Sequence, residues 1–184
     1  NKIMLVDTRK PDKENWETLI PEKEEVLQGI SVIGGKLVLE YMKDAASQAL
    51  IYDLNGEFIA EMDLPGIGNL YGMNGKKDDE IAFYGYTSFT FPATVYKFNV
   101  DENTSEVYKE SEMDFNSEAY ITEQVFYESK DGTKVPMFLV HKKGLEMNGN
   151  NPVLLYGYGG FNVSMEPSFS VSRLVFLEQG GIYA

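Results

Sequence analysis

A mixed architecture is predicted, a partial β-propeller followed by the opening strands of an α/β unit, and three observations predict it. An ungapped internal repeat at an offset of 44 relates residues 37–55 to residues 81–99. Gly-Gly and Asn-Gly pairs punctuate the apolar runs within it. The repeat then stops near Met113, and further on a short apolar run, Pro152 to Tyr156, empties into a glycine-rich segment.

In the repeat, Leu37, Val38 and Leu39 fall on Ile81, Ala82 and Phe83, and Ile51, Tyr52 and Leu54 fall on Val95, Tyr96 and Phe98. The opening run Ile3 to Asp7 reads as the same strand one unit earlier, at a slightly longer spacing. A period of about 40 to 45 residues built from short strands is that of a propeller blade, in which four antiparallel strands form each unit. Two similar hairpins on a β-sandwich are also compatible with it. Gly34-Gly35, Asn55-Gly56 and Asn74-Gly75 are the hairpin signals, because a type I′ turn needs positive φ at both central residues. Residues 1 to 112 thus read as two blades and a leading strand, too few to close a ring.

Beyond the acidic stretch Glu110 to Asp114 a new hairpin is predicted, with runs Thr122–Ser129 and Lys134–His141 about the turn Lys130-Asp131-Gly132. Pro136 places its run at a sheet edge or a bulge, since proline removes one ladder donor. The boundary is set near Met113 to Ser117, giving domains 1–114 and 115–184. Pro152 to Tyr156, continuous and apolar, reads as a strand buried on both faces, with Tyr156 in the core. A short helix is expected to end over Arg173–Gln179, and Gly180 to Ala184 begins another buried strand, inside which the chain stops.

Composition narrows the chemistry. Apolar residues make up 43% and aromatic residues 13%, with 12 Tyr and 11 Phe, as in a β-rich globular chain. With 29 acidic against 16 basic residues the net charge is -13, which repels phosphate backbones and anionic lipid. Nucleic-acid and membrane partners are therefore not expected, and the acidity reads as solvated surface. The absence of cysteine excludes a disulfide framework, a thiolate zinc site and a cysteine nucleophile. No cofactor or metal is expected. No apolar run approaches the roughly 20 residues of a membrane span, and the chain opens in mid-strand rather than on a basic-then-apolar leader. Cytoplasm and periplasm both remain open.

A strand emptying into a glycine-rich loop has a chemical use in α/β folds. There it supplies an oxyanion donor, and glycine lets the chain approach the reacting carbonyl closely. Gly157, Gly159 and Gly160 equally suit a tight strand-to-helix turn. The run Leu155-Tyr156-Gly157-Tyr158-Gly159-Gly160-Phe161-Asn162, followed by Ser170-Val171-Ser172-Arg173, resembles the prolyl oligopeptidase family. So do Ser129 to Met137 and, upstream, Thr87-Ser88-Phe89.

The resemblance implies a fragment carrying the last blades of a seven-bladed propeller and the first strands of an α/β-hydrolase domain. It implies a serine endopeptidase that cleaves short proline-containing peptides after proline, with the remaining segments of the same enzyme as partners. Two site residues carry over. Tyr158 matches the tyrosine whose phenol helps form the oxyanion hole, and Phe161 matches an aromatic wall of the proline-binding S1 pocket. A phenol can donate to a developing oxyanion, and a ring face offers flat contact to proline. No G-x-S-x-G occurs, and the family's nucleophile, acid and histidine are expected beyond Ala184, so the chain alone is expected to be inactive. His141, the one histidine, precedes the glycine loop and is out of order for a Ser-Asp-His triad; it reads as a strand-end residue. A propeller-type interaction module without chemistry, or another α/β-hydrolase-type peptidase, is the competing reading.

Overall fold

The structure, a computed structural model, describes residues 1–184. It is predominantly β, with fourteen strands and one α-helix. A two-stranded hairpin comes first, β1 (Ile3–Leu5) with β2 (Glu17–Ile20). Two four-stranded antiparallel meanders follow: β3 (Val26–Ile33), β4 (Lys36–Lys43), β5 (Ala46–Asp53) and β6 (Phe58–Glu61), then β7 (Asn69–Asn74), β8 (Ile81–Thr87), β9 (Thr94–Asn99) and β10 (Thr104–Lys109). In each, strand order follows chain order, as in a blade. No helix is long and apolar enough to cross a membrane.

The units stack face to face. Leu37, Leu39, Tyr41, Leu50 and Tyr52 of the first blade bury against Ile20 of the leading hairpin. Its other face, with Ile33, Val38, Ala49 and Ile51, packs against Ala82, Tyr84, Tyr86, Tyr96 and Phe98 of the second blade. The residues that face the preceding unit are therefore Leu37, Leu39 and Tyr41 in one blade and Ala82, Tyr84 and Tyr86 in the next, an offset of 45. For the following strand, Leu50 and Tyr52 match Tyr96 and Phe98, an offset of 46. The ungapped offset of 44 is thus corrected. It finds the right strands in the wrong register: one residue off along β4 and β8, where the slip exchanges the two faces, and two residues off along β5 and β9, where the faces are kept. The reason is that β4 is buried on both sides over Leu37–Leu39, so no polar alternation marks its register in the sequence.

The turn signals divide. Gly34 and Gly35, at φ 56° and 70°, make the expected tight turn between β3 and β4. At Asn55-Gly56 only Gly56 is left-handed, with φ 86°, and its N–H donates to Asp53 O at 3.1 Å. The connection is a longer turn organised by the Asp53 carboxylate, which accepts from the amides of Asn55 and Glu57, both at 2.8 Å. Neither Asn74 nor Gly75 has positive φ. Gly75 is needed for closeness instead, since a Cβ there would lie 2.9 Å from Ile33 Cγ2 and 3.2 Å from Ala82 Cβ.

The last sheet is mixed. Strands β11 (Tyr120–Glu128) and β12 (Lys134–Lys142) form the predicted hairpin in unbroken register, with Gly132 at φ 82° in its turn. Then come β13 (Val153–Leu154), α1 (Val171–Glu178) and β14 (Ile182–Tyr183), in the order β11-β12-β14-β13. Only β13 and β14 are parallel, and α1 lies between them in the chain, a strand-helix-strand unit. Pro136 sits at an open edge, because β14 meets β12 only at Val140. Ile182 and Tyr183 are buried as expected. The expected burial of Val153 to Tyr156 is overturned: all four are exposed, and Tyr156 is at 54%. The strand β13 is the outermost of its sheet, with β14 as its one neighbour, and no element of this chain covers it.

Candidate active site

The loop bearing both predicted site residues leaves β13 in a ladder with the end of β14. Ile182 N donates to Pro152 O at 2.9 Å, Ala184 N to Leu154 O at 2.9 Å and Tyr156 N to Ala184 O at 2.8 Å. Tyr158 therefore emerges two residues past the last ladder bond, on a backbone whose start is fixed. Added side chains at Gly157 and Gly159 would meet nothing within 4 Å, so these glycines leave space on both sides of Tyr158. The tyrosine is 48% exposed, and its hydroxyl has no hydrogen-bond partner in the chain. It lines a cleft of about 780 Å³ between the mixed sheet and the loops of both blades that carry Ala45 and Phe89.

Phe161 is placed differently. Phe161 and Asn162 have φ of 54° and 57°, and Val163 N donates to Gly160 O at 3.1 Å, closing a tight turn with two left-handed non-glycine residues. Such residues store strain of order 1 kcal/mol or more, a feature that concentrates at ligand sites. The turn holds the Phe161 ring at 94% exposure, outside the cleft that Tyr158 lines. The structure thus places the two residues on one loop without bringing them into one pocket.

His141 takes no part in the cleft. It is buried in β12 at 6% exposure, with Nδ1 at 3.0 Å from Lys142 O and Nε2 without a partner.

Two residues of the family-like motifs, neither with a role legible in the sequence, stand at the cleft. Phe89, from the β8–β9 connection, is 5% exposed and packs on Phe138 and Tyr183, with ring centroids 5.3 and 5.7 Å away. The Arg173 guanidinium lies 5.1 Å from the Phe89 ring centroid and 4.2 Å from that of Tyr183. The available signal was the loop itself: six residues, 88–93, stand where the first blade has the two-residue turn Asp44-Ala45.

Comparison with known proteins decides the family. The sequence family described as prolyl oligopeptidase, N-terminal beta-propeller domain, matches residues 1–111. The chain belongs to the prolyl oligopeptidase family. Among members of that family, a prolyl endopeptidase of Elizabethkingia meningoseptica is 45% identical over 185 residues, covering 100% of this chain and 26% of the relative. Prolyl oligopeptidase A of Galerina marginata is 34% identical over 186 residues, covering 98% of this chain and 25% of the relative. Among solved structures, one from a study of two prolyl endopeptidases and their inter-domain dynamics matches with a TM-score of 0.89 at 45% identity, over 99% of this chain and 27% of that one. Prolyl oligopeptidase B of Galerina marginata, bound to a 25mer macrocyclization substrate, matches with a TM-score of 0.85 at 25% identity, over 99% of this chain and 26% of that one. The chain therefore spans about a quarter of the length of the relatives it matches.

Proposed function

We propose that this chain is a piece of a serine endopeptidase that cleaves short peptides after proline. In this reading residues 1–114 are the last blades of a seven-bladed propeller, and residues 115–184 open an α/β-hydrolase domain. The parallel pair β13 and β14, with α1 between them in the chain, supports the second assignment. The change from chain-ordered meanders to a mixed sheet after residue 115 supports the boundary. The remaining segments of the same enzyme would cover the exposed strand β13 and the outer face of the second blade.

The observation that carries the chemical reading is Tyr158, a phenol with an unengaged hydroxyl on a glycine-rich loop leading out of a parallel strand into a cleft. As a peptide carbonyl carbon becomes tetrahedral, its oxygen gains charge, and a donor already aimed at it lowers the barrier without reorganisation. Tyr158 supplies that donor, and Phe161 supplies an apolar wall for the ring of the residue before the cut. The nucleophile and its base come from other segments of the enzyme.

The direct test is hydrolysis by the full-length enzyme of matched peptides with proline or alanine before the cut, with and without a serine-reactive phosphonate. Cleavage on the carboxyl side of internal proline, abolished by the phosphonate, is expected. Release of dipeptides from free amino ends alone would favour an aminopeptidase of the same superfamily, and no cleavage at all would favour an interaction module.

A further inference from the structure

The Tyr158 loop is tied down from the propeller side. In the second blade the connection between β8 and β9 closes on itself, Ser88 N and Thr87 Oγ1 both donating to Phe91 O at 3.0 Å, and Phe89 projects from it into the mixed sheet. A loop residue this deeply buried in another unit is an anchor rather than a surface side chain. Arg173 lies against both Phe89 and Tyr183, and its Nη1 donates to Ser168 O, on the return leg of the loop. Two residues earlier, Glu166 accepts from Gln28 Nε2 of β3 at 3.2 Å. Both blades therefore reach the segment that carries Tyr158 and Phe161 back to α1. A guanidinium can lie flat on rings and donate from its edge at the same time; a lysine ammonium cannot hold both contacts in a fixed plane.

We propose that Arg173 is a positioning residue for the cleavage reaction: lying over the rings of Tyr183 and of Phe89 from the propeller, and bonded to Ser168, it sets the Tyr158 loop for oxyanion binding when the propeller is docked. This rests on the reading of Tyr158 as the oxyanion donor. Displacement of a donor by a fraction of its hydrogen-bond length weakens transition-state binding more than substrate binding. Loss of this contact therefore acts on kcat first.

The test is steady-state kinetics of the full-length enzyme on a proline reporter for which chemistry limits the rate. The variants are Arg173→Lys, Phe89→Leu, Tyr158→Phe, and each of the first two combined with Tyr158→Phe. Arg173→Lys is expected to lower kcat about 10- to 100-fold with a far smaller change in KM, and Phe89→Leu to act in the same direction. In the Tyr158→Phe background both effects shrink, because the group they position is gone. Faster amide exchange across residues 157–165 accompanies them.

A kcat unchanged by Arg173→Lys overturns the inference, as does a loss of equal fold in the Tyr158→Phe background; in either case a large loss from Tyr158→Phe itself leaves the site reading intact. If Tyr158→Phe is indistinguishable from the parent enzyme, the site reading fails and this inference with it. Should Arg173→Lys fail to fold, Phe89→Leu carries the same comparison alone.

Discussion

Tyr158 and Phe161 share a loop but are held by different means, and they are expected to fail differently. Tyr158 follows a hydrogen-bonded strand end and has open space on both sides. Replacing it with phenylalanine keeps the ring and deletes the donor. In the full-length enzyme Tyr158→Phe should reduce turnover by about 100- to 1000-fold, or about 2.7 to 4 kcal/mol, the usual cost of one oxyanion donor. Burst-free steady-state assays on an activated proline substrate measure this, and unchanged turnover there would remove the assigned role. Phe161, on its strained turn, offers a ring face and no donor. Phe161→Ala should narrow the ratio of kcat/KM between proline and alanine substrates while leaving the alanine value less affected. An equal loss on both substrates would show that the ring supports the loop rather than the pocket.

At the scale of single elements, the β5–β6 turn shows why a glycine is required where the sequence has Asn55-Gly56. Gly56 is left-handed, and an added Cβ would press into the carbonyl of Leu19 on the neighbouring hairpin, well inside van der Waals contact. Gly56→Ala should destabilise by about 1 to 3 kcal/mol, from backbone strain plus the forced separation of β2 from the first blade. Thermal unfolding of the full-length enzyme checks this, and an unchanged midpoint would contradict it.

The same turn is expected to respond to acid. Amide donation from Glu57 and, more weakly, contacts from Asn55 and Gly56 hold the Asp53 carboxyl below its ordinary value. A carboxylate depressed on folding contributes stability above its unfolded pKa and loses it as pH falls through the folded value. The turn should therefore loosen only below about pH 4, and Asp53→Asn should flatten that acid limb in amide exchange measured at Asn55 and Glu57. An acid limb unchanged by the substitution would assign the sensitivity to another group.

On the scale of the whole molecule, surface area is the informative quantity. The chain exposes 11595 Å², whereas a compact monomer of its mass exposes about 8,900 Å². The excess includes Val153 to Tyr156 and, on the outer face of the second blade, Phe83 and Tyr108 in edge contact at 5.0 Å. Apolar patches and free sheet edges on this scale mark surfaces that pack against other polypeptide. The isolated chain should therefore associate or unfold rather than sediment as a cooperatively folded 20.8 kDa monomer, and analytical ultracentrifugation decides between these. It should also leave a proline reporter uncut, since its one histidine is enclosed in β12, outside the cleft. Turnover lost on mutating one of the chain's own residues would contradict that.

By itself the sequence determined the number and order of the blades, the hairpin about the turn Lys130-Asp131-Gly132 and the loop that carries Tyr158. These depend on local chemistry: paired glycines, a turn at Asp131-Gly132, and an apolar run ended by glycine leave their mark within a few residues. The tertiary structure alone decided the register of the blades, because a strand buried on both faces carries no polar alternation to count by. It also decided that the Phe161 ring stands apart from the cleft, through two left-handed residues that composition does not signal. Most of all it decided the partners of Arg173. Phe89 is 84 positions away in the chain and meets it only because a longer loop, in place of a two-residue turn, carries an aromatic ring from one sheet into the core of another.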